Sequence, residues 1–170
     1  KMQPKLIYFE QPIKRYTFEM TKLKHWVESI CEGKVLNLFA GKTKLNVDEI
    51  RNDMDINVKA DYHMDAFEFV NFWIENKKEK FDTVIVDPPY SDRKSMEKYG
   101  GRIVSKFRKI KDILPQIINN NGIVISCGYH STCLGKSRGF SKEHICIIGH
   151  GGSYHDTLIL VERKIINYLV

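Results

Sequence analysis

The 170-residue sequence lacks the features that mark membrane, secreted and multi-domain proteins. No apolar run approaches the ~20 residues that a membrane span needs. The stretch KMQPKLIYFEQP has neither the apolar core nor the small-residue cleavage site of a signal peptide. There is no internal repeat, and no segment rich in Pro, Gly or Ser marks a linker. These absences predict a single soluble, cytoplasmic domain over residues 1–170.

Cysteine is also scarce, with four residues in the chain. In a protein without a secretory signal we expect reduced thiols. Cys127, His130, Cys133 and Cys146 are residue types that bind zinc, but their spacing matches no familiar CxxC pair, and Cys146 lies inside the apolar run ICII. We therefore predict no metal site, with a structural zinc as the less favoured alternative.

Apolar runs alternate with helical patterns along the chain. Near-continuous apolar runs are typical of strands covered on both faces. They predict strands at 35–39, 81–87, 122–127, 144–148 and 157–161, with weaker ones at 48–54 and 58–62. Helical spacing of apolar residues predicts helices over 16–32, 65–78 and 102–118.

This alternation predicts an α/β protein with a mostly parallel central sheet. The short link between the last two strands predicts a C-terminal antiparallel hairpin. Residues 1–33 are expected to form a helical lead-in and residues 34–170 the core. Too few residues separate Gly41 from the second strand for a crossover helix. Either that helix is reduced to a turn or the second strand is misplaced.

Ligands of open α/β sheets bind at the carboxyl ends of the strands. The first strand runs through Asn37 to Phe39-Ala40-Gly41, and a glycine there lets the backbone approach a ligand closely. The fuller dinucleotide glycine pattern is absent, so a simple tight turn remains an alternative.

Acids follow the next two predicted strands. Asp53 and Asp55 end the second, and Asp61 and Asp65 flank the third. Carboxylates at such positions commonly bind ribose hydroxyls or an adenine amino group. The alternatives are an N-cap for Asp65 and a surface acid for Asp61.

The fourth strand ends in Asp87-Pro88-Pro89-Tyr90. Proline fixes φ at about −65° and has no N–H, and the residue before a proline is held extended. The Asp87 carboxylate and the Pro88 carbonyl are therefore expected to face outward as two acceptors for one NH₂ group. The ring of Tyr90 offers a stacking face for a base. The stretch predicts a site for a planar ring with an exocyclic amine, rather than a structural turn.

Together, Phe39-Ala40-Gly41, the acids at the next strand ends and Asp87-Pro88-Pro89-Tyr90 resemble class I S-adenosylmethionine-dependent methyltransferases. Within them the sequence resembles the amino-methyltransferases that modify exocyclic nitrogens of bases. The DPPY form is associated with N6-adenine DNA methyltransferases and also occurs in some RNA guanine-N2 enzymes. The stretches FAGKTKL, ADYHMDA and DPPYSDRKS are similar to a small archaeal group of adenine-specific DNA methylases.

The resemblance implies a Rossmann-like class I fold, S-adenosyl-L-methionine as cofactor and methyl transfer to N6 of adenine in DNA. The implied catalytic residues are Asp87, Pro88, Pro89 and Tyr90. The implied cofactor-binding residues are Gln11, Pro12, Asn37, Phe39, Ala40, Gly41, Asp53 (or Asp55), Asp65 and Ala66. Phe39 to Gly41 would line the methionine part, Asp53 the ribose, and Asp65-Ala66 the adenine. Two departures from the family pattern are the missing second half of the glycine motif and the loss of the first crossover helix. A separate target-recognition domain is also lacking.

The chain is basic, with 27 Lys and Arg against 21 Asp and Glu, which favours a polyanionic partner. The segment from Ser91 to Lys111 alone holds eight basic and two acidic residues. We expect its first half and the 134–142 loop to contact nucleic acid. The residues concerned are Arg93, Lys94, Lys98, Arg102, Lys136 and Arg138. Residues 106–111 are better explained as the solvated face of a helix.

Three functions remain open at this point. The first is an N6-adenine DNA methyltransferase. The second is an RNA amino-methyltransferase, acting on adenine-N6 or guanine-N2, which would explain the missing recognition domain. The third is a cofactor-binding subunit that needs a partner chain or a homodimer. None of the three involves a membrane.

Overall fold

A computed structural model of the protein describes residues 3–89, 96–99 and 101–165, with the backbone alone for 96–99 and 102–104. The strands are β1 Lys5–Glu10, β2 Val35–Asn37, β3 Glu49–Arg51, β4 Phe81–Val86, β5 Met96–Tyr99, β6 Arg102–Ser105, β7 Ile118–Gly128, β8 Phe140–Gly149 and β9 Thr157–Lys164. The helices are α1 Thr21–Ile30, α2 Ala66–Asn76 and α3 Lys106–Ile113. Short 3-10 helices lie at Thr17–Glu19, Leu114–Ile117 and Lys136–Arg138.

Seven strands form one sheet in the order β1-β8-β9-β7-β4-β2-β3, and β5 with β6 forms a separate hairpin. Strand β9 is antiparallel to both of its neighbours, and the other neighbouring pairs of the large sheet are parallel. The predicted α/β class, the mostly parallel sheet and the C-terminal antiparallel hairpin of β8 and β9 are therefore confirmed.

Helices cover both faces of the sheet. Successive side chains of a strand point to opposite faces, so Val84 and Val86 of β4 pack in the cluster that includes Phe69 of α2, while Ile85 packs with Leu23 of α1. Burial on both faces explains the continuous apolar runs of the central strands. Within the part of the chain that the structure describes, no helix is long and apolar enough to span a bilayer.

A buried carboxylate anchors the segment that leads into β8. Glu162 of β9 is fully buried, and its carboxylate accepts hydrogen bonds from the backbone N–H groups of Cys133, Leu134 and Gly135 at 3.3, 2.7 and 2.9 Å. An ionised acceptor strengthens such bonds and offsets the cost of burying it.

The lead-in prediction is wrong in its first half. Residues 5–10 form β1, which pairs in parallel with β8 at the edge of the sheet, and the helix begins at Thr21. An edge strand buries little: in β1 half-buried positions alternate with exposed ones. Its sequence does hold a short apolar run, LIYF at residues 6–9, which the strand prediction did not use.

Two other boundaries also differ from the prediction. The strand expected at 58–62 is reduced to a single parallel bridge between Asn52 and Tyr62. The helix expected over 102–118 begins at Lys106, after the β5–β6 hairpin. Of the two alternatives for the first crossover, the structure has the one in which the helix is reduced, because residues 38–48 connect β2 to β3 without a helix. The second strand itself lies where the sequence placed it.

Candidate functional site

A cleft of about 650 Å³ lies at the carboxyl edge of the sheet, where β2, β3, β4 and β7 end. This volume falls within the usual range of ligand pockets, about 300–1,000 Å³. The cleft is lined by nine of the predicted site residues: Phe39, Ala40, Gly41, Asp53, Asp65, Ala66, Asp87, Pro88 and Pro89. Residues that follow the first and the fourth predicted strands thus line one cavity, because these strands are parallel.

The turn after β2 forms one wall of the cleft. Gly41 has φ +61°, a left-handed conformation that favours glycine, and its N–H donates to Asp53 Oδ2 at 2.8 Å. The other Asp53 oxygen accepts from the N–H of Asp55 at 2.9 Å. Asp53 therefore fixes the turn and lines the cleft at the same time. A carboxylate accepts about four hydrogen bonds, so it retains capacity for a ligand hydroxyl.

Asp55 also lines the cleft, but it is exposed and tied to its own loop. Its Oδ1 accepts from the backbone N–H and from the side-chain amide of Asn57, both at 2.9 Å. These bonds, the backbone one most of all, hold the pKa of Asp55 below its ordinary value. The two acids thus differ in position: Asp53 supports the glycine turn, and Asp55 supports the rim.

A buried ion pair lies at the short connection between β2 and β3. The side chains of Arg51 and Glu49 are 7% and 0% exposed, with Arg51 Nη1 at 2.7 Å from Glu49 Oε1. The guanidinium also donates to the carbonyls of Gly41 at 2.7 Å and Thr43 at 3.2 Å, and Glu49 accepts from the N–H of Leu45 at 3.1 Å. Buried charges are tolerated when they are paired and hydrogen-bonded in this way. The pair holds the loop that carries the glycine turn.

Sequence reasoning missed this pair because charged side chains on a short edge strand are expected to face solvent. The available signal was a pair of opposite charges two residues apart, on one face of β3, beside a connection too short for a helix.

Asn52 is a second residue that the sequence did not reveal. It is 1% exposed, and its Nδ2 donates to the carbonyls of Leu38 at 3.2 Å and Met64 at 3.0 Å. Its Oδ1 accepts from the N–H of Met64 at 3.2 Å. The one amide therefore joins the ends of β2 and β3 to the turn before α2. The sequence signal that could have indicated it is an asparagine placed directly after a strand and before an acid.

Asp65 and Ala66 bring the start of α2 to the cleft. Asp65 is the N-cap of the helix, since its Oδ1 accepts from the N–H of Phe67 at 2.9 Å and of Glu68 at 3.3 Å. Its other oxygen forms an ion pair with Lys106 of α3. The alternative that Asp65 caps the helix is thus confirmed. A role in cofactor binding stays a prediction.

The end of β4 supplies Asp87, Pro88 and Pro89. Asp87 is half-buried, Pro88 is buried and Pro89 is exposed, and all three line the cleft. They share it with Cys127 and Gly128, because β7 pairs with β4 in parallel and ends beside it. Tyr90 lies outside the described residues.

Known structures share this architecture. No protein-family model matches the sequence, and a comparison with curated proteins finds no match. SMU.776 in complex with SAH has a TM-score of 0.57 and 12% identity, over 84% of this chain and 48% of that chain. TrmN from Thermus thermophilus has a TM-score of 0.55 and 14% identity, over 85% of this chain and 48% of that chain. The N-methyltransferase NodS from Bradyrhizobium japonicum WM9 has a TM-score of 0.56 and 12% identity, over 82% of this chain and 89% of that chain.

The fold is that of a class I methyltransferase. The resemblance stated from the sequence is confirmed at the level of the fold. NodS has also been solved in complex with S-adenosyl-L-homocysteine. The chain spans about half the length of SMU.776 and of TrmN.

Three predicted cofactor residues of this methyltransferase fold do not line the cleft: Gln11, Pro12 and Asn37. The Gln11 side chain donates to Thr21 Oγ1 and accepts from the N–H of Leu23, so it joins the end of β1 to α1. The segment just after it, Ile13–Phe18, reaches the cleft instead. Asn37 is buried and donates to Glu49, and its Oδ1 has no hydrogen-bond partner among the described residues.

Of the six predicted nucleic-acid residues, the structure describes side chains for Lys136 and Arg138 alone. Arg93 and Lys94 lie outside the described residues. Lys98 belongs to β5 and Arg102 to β6, in adjacent residue pairs of the β5–β6 hairpin.

Lys136 and Arg138 precede β8. The first residue of β8, Phe140, lies nine positions before its last residue, Gly149, which is about 30 Å at 3.3 Å per residue. Arg138 is ion-paired there with Asp112. These two basic residues therefore lie at the opposite edge of the sheet from the cleft. Among residues 3–89, 96–99 and 101–165, no group of three or more His, Cys, Asp or Glu side chains could hold a metal ion.

Proposed function

We propose that the protein binds S-adenosyl-L-methionine in this cleft and methylates an exocyclic amino group of a nucleobase, with N6 of adenine in DNA as the first candidate. One observation carries the proposal: Asp87-Pro88-Pro89 and the Phe39–Gly41 turn with Asp53 line a single cleft in a methyltransferase fold. The complexes of SMU.776 and NodS with S-adenosyl-L-homocysteine support the cofactor.

The lining suits the cofactor in its chemistry. Gly41 presents backbone without a side chain, and a Cβ added there would meet nothing within 4 Å, so the space beside it is open. Asp53 offers acceptor capacity for hydroxyl groups. Val58 and Met64 add apolar surface for a flat ring. When bound, S-adenosylmethionine would supply a methyl group on a positively charged sulfur.

Asp87 and Pro88 would act on the acceptor amine. The lone pair of an aromatic amine is delocalised into its ring, which makes the nitrogen a poor nucleophile. Hydrogen bonds from the NH₂ group to the Asp87 carboxylate and the Pro88 carbonyl would localise that lone pair and orient the nitrogen. Asp87 would then take the proton that the nitrogen loses. A base in a duplex would have to flip out of its stack to reach this position.

The test is incubation of the protein with labelled cofactor and separate pools of DNA and RNA, followed by nucleoside analysis. The proposal expects N6-methyladenine in the DNA pool. Methyl label in the RNA pool instead would favour the RNA amino-methyltransferase and contradict DNA as the substrate. Failure to label either pool by this chain alone would favour a subunit that needs a partner, and would contradict the proposed activity of the isolated chain.

Asp87→Ala should lower the rate of transfer by at least about 100-fold, because a proton acceptor and an orienting group are lost together. Asp48→Asn is a matched control, since Asp48 is exposed and precedes β3 at the edge of the sheet away from the cleft. Calorimetric titration with S-adenosyl-L-homocysteine shows whether each variant still binds the cofactor product. Unchanged transfer by Asp87→Ala would refute the assigned role.

A further inference from the structure

The cleft has two halves, and they differ in what they can bind. The ends of β2 and β3 and the turn before α2 line one half, which the proposed function assigns to the cofactor. The ends of β4 and β7 and the start of β9 line the other, with Asp87, Cys127, Gly128, Tyr129 and Thr157. The second half is therefore left for the acceptor, and Asp87 lies within it.

Aromatic side chains are exposed at the mouth of this second half. Tyr129 directly follows β7, lines the cleft and is 51% exposed. The ring of His155 meets it edge-on, with centroids 6.2 Å apart. Tyr154, in the same loop as His155, is 62% exposed. Strands β7 and β9 pair at Gly128 and Leu158, so the two loops that carry these rings emerge side by side.

Cations line the rim along the segment before α1 and the turn after β2. Lys14, Arg15 and Lys42 are exposed and line the cleft. Arg15 Cζ and Lys42 Nζ each lie 5.6 Å from the centroid of the Tyr16 ring, so this aromatic side chain holds two positive charges at the mouth. Positive charge beside exposed aromatic rings is the combination that binds nucleic acid by its phosphates and by base stacking at once.

Resting on the proposed function, we propose that Tyr129, with His155 against it, is a stacking surface for a base next to the methylated nucleotide, and that the acceptor is single-stranded. A ring face can stack on a base only where that base has left its own stack, as in a single strand. A duplex offers its bases already stacked and must open to use the surface. The cations at the rim would neutralise the phosphates of the bound strand.

The test measures binding of a fluorescein-labelled single-stranded oligonucleotide and of the same sequence as a duplex, by fluorescence anisotropy, in the presence of S-adenosyl-L-homocysteine. Wild-type protein should bind the single strand at least about tenfold more tightly than the duplex. Tyr129→Ala should weaken single-strand binding by about 5- to 150-fold, the range for losing one base–aromatic stack. Tyr129→Phe keeps the ring and should stay within about threefold of wild type.

Tyr8→Ala is the matched control. Tyr8 is 59% exposed, lies on β1 and does not line the cleft, so its removal should leave binding unchanged. Equal binding of duplex and single strand would overturn the inference, as would wild-type affinity of Tyr129→Ala. Tyr129-dependent binding without methyl transfer to DNA or RNA would support the surface and overturn the proposed activity, so the two failures are distinguishable.

Discussion

Replacing Asn52 with alanine tests how the cleft is held together. The change removes three hydrogen bonds, to the carbonyls of Leu38 and Met64 and from the N–H of Met64. A hydrogen bond contributes about 1 kcal/mol net, so the bonds alone account for about 3 kcal/mol. Backbone groups left buried without partners cost more, at about 1–3 kcal/mol each, although water entering from the cleft will satisfy some of them.

We therefore expect Asn52→Ala to lower the free energy of unfolding by about 3–4 kcal/mol, against a total of about 5–15 kcal/mol for a typical domain. Asn52→Asp keeps the shape but turns an acceptor oxygen toward the two carbonyls that the amide now serves. The repulsion between these oxygens should make the aspartate variant less stable than the alanine variant at neutral pH.

Urea unfolding followed by circular dichroism measures these differences, and calorimetric titration with S-adenosyl-L-homocysteine reports on the cleft. Asn57→Ala is the control, because Asn57 is exposed and lies in the neighbouring loop, so its removal should change stability by no more than about 0.5 kcal/mol. If Asn52→Ala were as stable as this control, the amide would not join the three segments as described. An aspartate variant as stable as wild type would refute the reasoning equally.

Two further predictions concern a buried carboxylate and a half-buried thiol away from the cleft. Glu162→Gln should lower the free energy of unfolding by about 2–4 kcal/mol, because the new NH₂ group faces the backbone N–H donors of residues 133–135. A urea titration measures this loss, and a value below about 1 kcal/mol would contradict the prediction. Burial, with Glu49 and Glu28 nearby, raises the pKa of the Cys31 thiol from 9.0 to about 12. The folded protein thus keeps a proton that the unfolded chain loses, so the stability from this group is complete below pH 9 and falls as the pH rises toward 12. Unfolding free energies between pH 8 and pH 11 should decline less steeply for Cys31→Ala than for wild type, and parallel curves would rule out this linkage.

The sequence predicted the elements whose burial is strongest. Strands β4 and β7, the hairpin of β8 and β9, and helix α2 with its Asp65 cap all leave patterns within one segment of the chain. The carboxyl ends of β2, β3 and β4 carry Phe39–Gly41, Asp53 and Asp87–Pro89, and the sequence placed these residues at one edge of the sheet because parallel strands share a carboxyl edge.

The parts that were missed depend on contacts between distant segments. Strand β1 lies at the edge of the sheet because it pairs with β8, and the short apolar run at 6–9 alone does not show this partner. The pair of Arg51 and Glu49 became buried because a loop, not a helix, lies over them. The sequence predicted this strand only from residue 122, yet β7 begins at Ile118, and within its first residues Asn121 adopts φ 65° and the register with β4 shifts. A bulge of this kind is set by the neighbouring strand and has a turn-like sequence.

The parallel pairing of β1 with β8 constrains the order in which the sheet can assemble. Gln11 and His150, 139 residues apart, are joined by a hydrogen bond at the end of this pair. Closing so long a loop costs about 4 kcal/mol of chain entropy. The cost is smaller once β7, β9 and β8 have paired, because those strands already hold most of the intervening chain together. We expect the amino-terminal strand to dock late, and the Ile13–Phe18 wall of the cleft to form with it, so the site would be completed in one of the last folding steps.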